Sequence, residues 1–357
     1  MNPDGNKKSF TTALLHWHQN ENHRSLPWKS ETDPYKIWLS EIILQQTRAL
    51  QGLPYYMRFT ETYPSIQQLA AAKDEDVFRI WQGLGYYNRC KNMLATARYI
   101  SGELNGVFPA TYDAIVALKG IGPYTAAAIA SFAYGLPCAV VDGNVYRVLS
   151  RYFGIDTSYD TTEGKKEFAA LATELLHVPD SAAYNQAIMD LGATVCTPRA
   201  PLCAECPLQT NCIALRQNMI ALLPVKSKRV QVNTRYFHYL LLRNKDLIWI
   251  HRRGPKDIWE NLHEPFLIET DVPLDVAGVA DNDKFRSAGL PTNAVLYAGS
   301  SAQRLTHRII QARFFTLDLA DRIYILPPEG RWTAAEELKN IAFPKTVLTF
   351  LKKNLYF

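Results

Sequence analysis

Four cysteines set close together constrain this chain more than any other feature. Cys196, Cys203, Cys206 and Cys212 follow the spacing C-x6-C-x2-C-x5-C and are four of its six cysteines. Thiolates gathered this closely usually hold a metal or a cluster. A disulfide staple is the weaker reading, because a chain of 357 residues buries enough apolar surface without one. Zinc stays open, although structural zinc sites more often use two short C-x2-C knuckles. Here only Cys203 and Cys206 form a knuckle, and no histidine falls within the stretch. One compact loop carrying four thiolates also suits an iron–sulfur cube.

The length predicts two domains, each large enough for its own core. An apolar fraction of 47% and a charged fraction of 20% are those of an ordinary globular protein. The net charge of +5 fits a polyanionic partner but is too mild to establish one. No run approaches the ~18 consecutive apolar residues of a membrane span. The first eight residues are polar, with no apolar signal region. A cytosolic, reducing compartment is expected, with Cys90 and Cys138 as buried thiols acting as small hydrophobes.

Residues 7 to about 195 read as helices with short connections. Asp33 and Pro34 stand where a capping Asp and a first-turn Pro belong, ahead of a helix expected over Tyr35–Leu50. Pro198, Pro201 and Pro207 break the cysteine segment into turns. After a stretch with a basic centre, runs rich in β-branched and aromatic residues predict strands at Tyr236–Leu242, Leu247–His251, Pro265–Glu269 and Ala312–Leu319. Thr333–Asn340 and Pro344–Lys353 read as helical. The expected organisation is an all-helical unit over 1–224, a linker over 225–233 and an α+β unit over 234–357.

Three segments carry chemistry. Leu118–Ala127 reads Leu-Lys-Gly-Ile-Gly-Pro-Tyr-Thr-Ala-Ala, a helix–hairpin–helix pattern. Gly120 and Gly122 are expected to take φ > 0 and let the backbone approach a ligand. The amides that open the next helix, at Thr125, then face phosphate without reading sequence. The bland alternative is an ordinary turn between helices. Glu41 is the one acid in the apolar run Trp38–Thr47. Desolvation there raises a carboxyl's pKa, so the group can donate a proton near neutrality, unless it is a solvated or paired surface Glu. Asp142 precedes a helix and can simply cap it. It also lies 20 residues beyond Gly122, close enough to serve a hairpin-bound ligand. Breaking a glycosidic C–N bond requires one acid for the leaving group and one carboxylate for the cation, roles that Glu41 and Asp142 can fill.

Together these segments resemble the MutY-type adenine DNA glycosylases of the helix–hairpin–helix superfamily, which includes endonuclease III. The match runs through Leu26-Pro27-Trp28, Trp38–Thr47, Gln82–Tyr87, Leu118–Ala127, Val141–Val148, Tyr184–Ala187, Asp190–Ala193 and the four cysteines. The resemblance implies a multidomain protein: an all-α helix–hairpin–helix glycosylase fold with a [4Fe–4S] cluster loop, then an α+β Nudix-like domain. It implies excision of adenine mispaired with 8-oxoguanine or guanine in double-stranded DNA, by a monomer in the bacterial cytoplasm, associated with the nucleoid. Glu41 would protonate adenine N7 and Asp142 would steady the oxocarbenium ion, supported by Tyr124 and Asn144. Trp28, Leu44 and Gln186 would line the adenine pocket. Gln46, Thr47 and Tyr86 would contact the opened duplex, and Gly120, Gly122 and Thr125 the DNA backbone. Cys196, Cys203, Cys206 and Cys212 would hold the cluster.

Three departures from related patterns matter. Endonuclease III-type lyases carry a nucleophilic Lys where this chain has Tyr124, which favours a glycosylase without strand cleavage. In the C-terminal unit the acid string of a working Nudix site, which would hold Mg²⁺, is missing, so no nucleotide hydrolysis is expected. The family's 8-oxoguanine loop usually reads Phe-Ser-His; here it is Leu305-Thr306-His307. Thr306 keeps a hydroxyl for the oxidised base, and His307 is the second expected contact.

Overall fold

The computed structural model describes residues 3–227, 232–255, 257–305, 307–320 and 323–355. Its contacts group the chain into two compact units, Met1–Ala71 with Asn92–Arg229, and Ala72–Lys91 with Val230–Phe357. Part of the expected linker, 228–231, lies outside the described residues. The grouping of 72–91 with the C-terminal residues does not follow from the sequence, where this segment reads as one more part of the helical run.

The helical part of the chain contains α1 (Pro3–Asn20), α2 (Pro34–Leu44), α3 (Ala49–Thr62), α4 (Ile66–Ala71), α5 (Asp74–Trp81), α6 (Tyr87–Glu103), α7 (Tyr112–Val116), α8 (Pro123–Tyr134), α9 (Gly143–Phe153), α10 (Thr162–Leu175), α11 (Ser181–Thr194) and α12 (Ile213–Arg216). Of these, α5 belongs to the second unit, and α6 begins there and continues into the first. Apolar residues spaced three and four apart give α1, α9, α10 and α11 one buried stripe each. Phe10, Leu14 and Trp17 thereby meet Val148, Leu149 and Tyr152, with Phe168, Tyr184 and Leu191 completing the core.

Helix α2 ends six residues before the expected Leu50. Asp33 caps it, accepting from the Tyr35 amide at 2.9 Å, and Pro34 stands in its first turn. At the other end Gln46 adopts φ 55°, and the Thr47 amide donates back to the Leu44 carbonyl. Gly52 then lets α3 pack against the end of α2; a Cβ there would lie 2.8 Å from Leu44 Cδ2. Gln45-Gln46-Thr47 contains neither Gly nor Pro, so this break has no local signal.

The second unit is built on a sheet of strand order β3-β2-β1-β6-β5, with β4 paired to β1 and β7 to β2. The strands are β1 (Asn233–Asn244), β2 (Leu247–Arg252), β3 (His263–Glu264), β4 (Phe266–Thr270), β5 (Leu296–Arg304), β6 (Arg308–Asp318) and β7 (Gly330–Ala334). Besides α5 and the start of α6, it contains α13 (Val276–Asp281), α14 (Asp283–Ser287) and α15 (Lys345–Leu355). Strands β1 and β6 pair in parallel from Asn233↔Arg308 to Arg243↔Asp318. Both faces of this central pair are covered, which explains the unbroken apolar run along β1. Leu240, Leu242 and Phe315 pack with Val279 and Phe285 of α13 and α14. Phe314, on the opposite face, stacks on Phe350 of α15 with ring centres 4.0 Å apart.

Two expectations for this unit need correction. The helix expected over Thr333–Asn340 is shorter and of the 3-10 type: Thr333 and Ala334 end β7, and a 3-10 helix follows over Ala335–Asn340. Pairing with β2, including Trp249↔Trp332, supplies the backbone partners that local sequence cannot reveal. Strands β3 and β5 were also not expected; β5 is mostly exposed along its length and so lacks an apolar signature.

Candidate active site

Glu41 lies on α2, a helix buried along Ile37–Ile43, and is only 6% exposed. A helix apolar all round gives its one acid no water. Burial is the largest influence on the carboxyl and raises its pKa to about 7. The Tyr124 hydroxyl, which donates to Glu41, works against that rise, and the charge of Asp142 adds to it. Glu41 therefore carries a proton at a pH where an ordinary carboxyl has lost it.

Asp142 is the N-cap of α9, and its capping role and its place beside Glu41 are one arrangement. Oδ1 accepts from the amides of Asn144 and Val145, both at 2.8 Å, and Oδ2 accepts from Asn144 Nδ2 at 2.7 Å. Burial raises its pKa too, opposed by these bonds and by Arg147. Three N–H donors and a helix N-terminus favour its charged form. Of the two coupled acids, Asp142 is the one equipped to stay ionised, and Glu41 the one equipped to keep the proton.

Tyr124 and Thr125 open α8, which follows the hairpin. The expectation that both hairpin glycines take φ > 0 holds only for Gly120, at φ 79°. A Cβ on Gly120 would also sit 2.7 Å from Asn92 Cβ. Gly122 is extended backbone at φ −97° and caps α8; a Cβ there would meet nothing within 4 Å, so its backbone is open to a ligand. The Thr125 side chain is 2% exposed and accepts from Gln45 Nε2 at 3.3 Å. Its amide, not its hydroxyl, is what it can offer a phosphate.

The remaining expected residues fall in two places. Trp28, Leu44, Gln46, Thr47, Asn144 and Gln186 are in the first unit. Trp28 is half-buried and meets Tyr56 edge-on at 5.3 Å; Leu44 is half-buried at the end of α2, Gln186 half-buried on α11, and Gln46 is exposed in its positive-φ turn. In the second unit Tyr86, at φ 48°, and His307 line one cavity of about 880 Å³ with Trp259, Arg304 and Arg308. Thr306 lies outside the described residues. Of the two other thiols, Cys90 is buried but Cys138 is only partly so.

All four clustered cysteines line one small cavity, with Val195, Leu202 and Arg151, and none is in a disulfide. Two arginines that the sequence does not single out tie this loop to α9. Arg147 donates to the Cys196 carbonyl at 2.6 Å, the Gly192 carbonyl at 2.7 Å and Asn144 Oδ1 at 2.8 Å. Arg151 donates to the carbonyls of Thr197 and Pro198 and lies 3.4 Å from Cys196 Sγ. Asp190, named in the sequence only as part of the matching stretch Asp190–Ala193, was given no role there. It is fully buried and ion-paired to Arg24 and Lys29. The available signal was its position four residues after Gln186, on the same helix face.

Residues 39–175 match the HhH-GPD superfamily of base excision DNA repair proteins. An adenine DNA glycosylase from Buchnera aphidicola subsp. Schizaphis graminum is 34% identical over 253 residues, covering 71% of this chain and 73% of the relative. The chain belongs to the adenine DNA glycosylase family. It is thus an enzyme of base excision repair, one that hydrolyses N-glycosidic bonds. The adenine DNA glycosylase of Homo sapiens is 40% identical over 215 residues, 58% of this chain and 39% of that protein. Among solved structures, a thermostable thymine-DNA glycosylase superposes with a TM-score of 0.56 at 28% identity, covering 61% of this chain and 100% of that one. A non-covalent endonuclease III–DNA complex superposes with a TM-score of 0.52 at 20% identity, over 60% of this chain and 98% of that one, a likeness of fold.

Proposed function

We propose that this member of the family removes adenine paired with 8-oxoguanine or guanine in duplex DNA, without cleaving the strand, and acts as a monomer in the bacterial cytoplasm. The observation that carries the reading is Glu41: a buried carboxyl with a pKa of about 7, bonded to Tyr124 and near Asp142, the N-cap of α9. The adenosine must leave the stack before its reacting atoms can be reached. Glu41 gives its proton to adenine N7, and the C1′–N9 bond breaks with its electron pair leaving on the base. The Asp142 carboxylate steadies the oxocarbenium ion, while Asn144 and Tyr124 hold the two acids in place. Water adds to C1′, and its proton returns to Glu41. Trp28, Leu44 and Gln186 enclose the base, and the hairpin amides around Gly120, Gly122 and Thr125 grip the backbone. Tyr124 brings no amine for a Schiff base, so the reaction ends at the abasic site.

The second unit reads the opposite base on this proposal. Tyr86 and His307 share a cavity with two arginines, a setting suited to an oxidised purine and its phosphates; the Thr306 hydroxyl is proposed as a further contact to the oxidised base, and Gln46 and Thr47 as separate contacts of the first unit to the opened duplex. The unit is taken as Nudix-like in fold and inactive as a hydrolase, since its sequence holds no Nudix acid string.

A [4Fe–4S] cluster is the proposed cofactor, held by Cys196, Cys203, Cys206 and Cys212. The fit rests on four cysteines around one cavity. When bound, the cluster would supply the cationic iron that keeps the four partly buried thiolates ionised and so tie the 196–212 loop together.

Single-turnover assays on duplexes with adenine opposite 8-oxoguanine, followed by alkali, test the reaction. Adenine release with strand breaks only after alkali is the expected result; no release overturns the enzyme assignment, and breaks at the rate of release overturn the monofunctional one. Metal analysis should find about four iron atoms per chain; stoichiometric zinc instead would remove the cluster.

A further inference from the structure

We propose that Asp190 is a positioning residue that makes the site select a 6-amino purine, by dictating which end of the Gln186 amide faces the base. The inference rests on the reading of Gln186 as part of the adenine pocket. Asp190 has no exposed surface. Its Oδ1 accepts from Arg24 Nη1 at 2.7 Å and Gln186 Nε2 at 3.2 Å; its Oδ2 accepts from Lys29 Nζ at 2.5 Å and Asn22 Nδ2 at 2.7 Å. A carboxylate has about four acceptor sites and no donor, so this one is filled by four donors from two parts of the chain.

The two parts are the walls of the proposed pocket. Gln186 and Asp190 are one turn apart on α11. Asn22, Arg24 and Lys29 belong to an irregular segment between α1 and α2, which also carries Trp28. That segment has no helix or strand to shape it. Instead Lys29 donates to the Arg24 carbonyl at 2.6 Å, the Arg24 amide donates to Asn22 Oδ1 at 3.1 Å, and Asp190 gathers all three side chains.

The orientation of the Gln186 amide follows from charge. An ionised carboxylate flanked by two cations only accepts, so the NH₂ end of Gln186 must face it. The amide is planar with its oxygen opposed to its nitrogen, and anchoring Nε2 turns Oε1 away from Asp190. A carbonyl presented to a purine edge accepts from the 6-amino group of adenine. Against the 6-oxo group of guanine or hypoxanthine it sets two acceptors face to face. Sites that hydrogen-bond a substrate group reject analogues lacking it far better than apolar pockets do.

The test uses the full-length protein and single-turnover excision, enzyme in excess, of adenine and of hypoxanthine opposite 8-oxoguanine in the same duplex. The readout is the ratio of the two rate constants, which a loss of folded protein does not change. Gln186→Ala tests the underlying reading: the ratio should collapse, and an unchanged ratio removes Gln186 from the pocket and this inference with it. Asp190→Asn introduces an amide that can donate as well as accept, freeing Gln186 to turn over. The adenine preference should fall by about tenfold to a hundredfold, and the substitution should have no further effect on the ratio in the Gln186→Ala background. A wild-type ratio in Asp190→Asn beside a collapsed one in Gln186→Ala overturns the role of Asp190 alone; so does a further change in the double variant. Should Asp190→Asn unfold because it strands a buried cation, Asp190→Asn with Lys29→Met relieves that charge, and the same ratio decides.

Discussion

At the scale of single residues, burial and hydrogen bonding assign opposite roles to two carboxyls. Glu41 has desolvation as its main influence and no backbone donors among its causes of shift; Asp142 accepts two amides and a side-chain N–H. Glu41→Gln should lower adenine release by about 10²–10⁴-fold while leaving duplex binding intact, as read by single-turnover kinetics and fluorescence anisotropy. The same variant carries a stability signature. A carboxyl whose folded pKa stands near 7 against an ordinary 4.5 binds its proton more tightly in the folded state, so stability falls as pH rises through that window and levels off above it. Denaturant unfolding should therefore find Glu41→Gln more stable than the parent by about 3 kcal/mol at pH 8, with the difference vanishing near pH 4. Asp142→Asn separates charge from capping. Asn caps a helix about as well as Asp, so stability should change by less than about 0.5 kcal/mol, while excision falls by about 10²–10³-fold. Equal losses in both would return Asp142 to a purely structural role.

Among elements, close approaches decide how the acids are held. α11 crosses α9 at Gly192, where an added Cβ would lie 2.6 Å from Asn144 Cβ and 3.1 Å from its backbone oxygen. Gly192→Ala must push the start of α9 away, at a cost of about 1–3 kcal/mol. It should lower the melting temperature and also slow excision, since Asn144 holds the Asp142 carboxylate. A shift in melting temperature with unchanged excision would mean that the α9 start does not need this crossing. In the hairpin, Gly120→Ala meets both a positive φ and a 2.7 Å contact with Asn92. Anisotropy with undamaged duplex should show weakened affinity; Gly122→Ala, with open space around its Cα, should fold normally, so any loss of affinity there reports the backbone–ligand approach alone.

Over the whole molecule, one division, between Arg229 and Val230, falls where the composition changes, and those around residues 72–91 do not. Residues 72–91 are grouped with the C-terminal residues, held by contacts that include Gln82 Nε2 to the Phe343 carbonyl and the Lys91–Glu260 ion pair. A chain cut at residue 227 would leave this segment without those partners. Hydrogen exchange on the cut protein should show lost protection across α5 and the Gly83–Tyr87 turn, with α9 and α11 unchanged; retained protection in α5 would mean that the first unit alone supports it. The same cut should lower the preference for adenine opposite 8-oxoguanine over adenine opposite guanine, since the proposed lesion contacts Tyr86 and His307 depend on the second unit.

Local sequence determined what depends on nearby residues. The cap at Asp33, the Gly-x-Gly hairpin, the apolar stripes of the helices, the lone acid within α2 and the four cysteine positions are all written in spacings of a few residues, because hydrogen-bond geometry and helical period act over that range. Tertiary structure decided what depends on charge and volume brought together from far along the chain. The raised Glu41 pKa needs the burial that packing around α2 supplies, with Asp142 adding to it and Tyr124 opposing it; the break after Leu44 has Gly52 packed behind it, and β7 pairs with β2 alongside. Asp190 shows the difference most clearly: in sequence it is one acid on an amphipathic helix, and only the folded chain surrounds it with Asn22, Arg24, Lys29 and Gln186, where a buried carboxylate must fill all its acceptor sites and so fixes the residues that fill them.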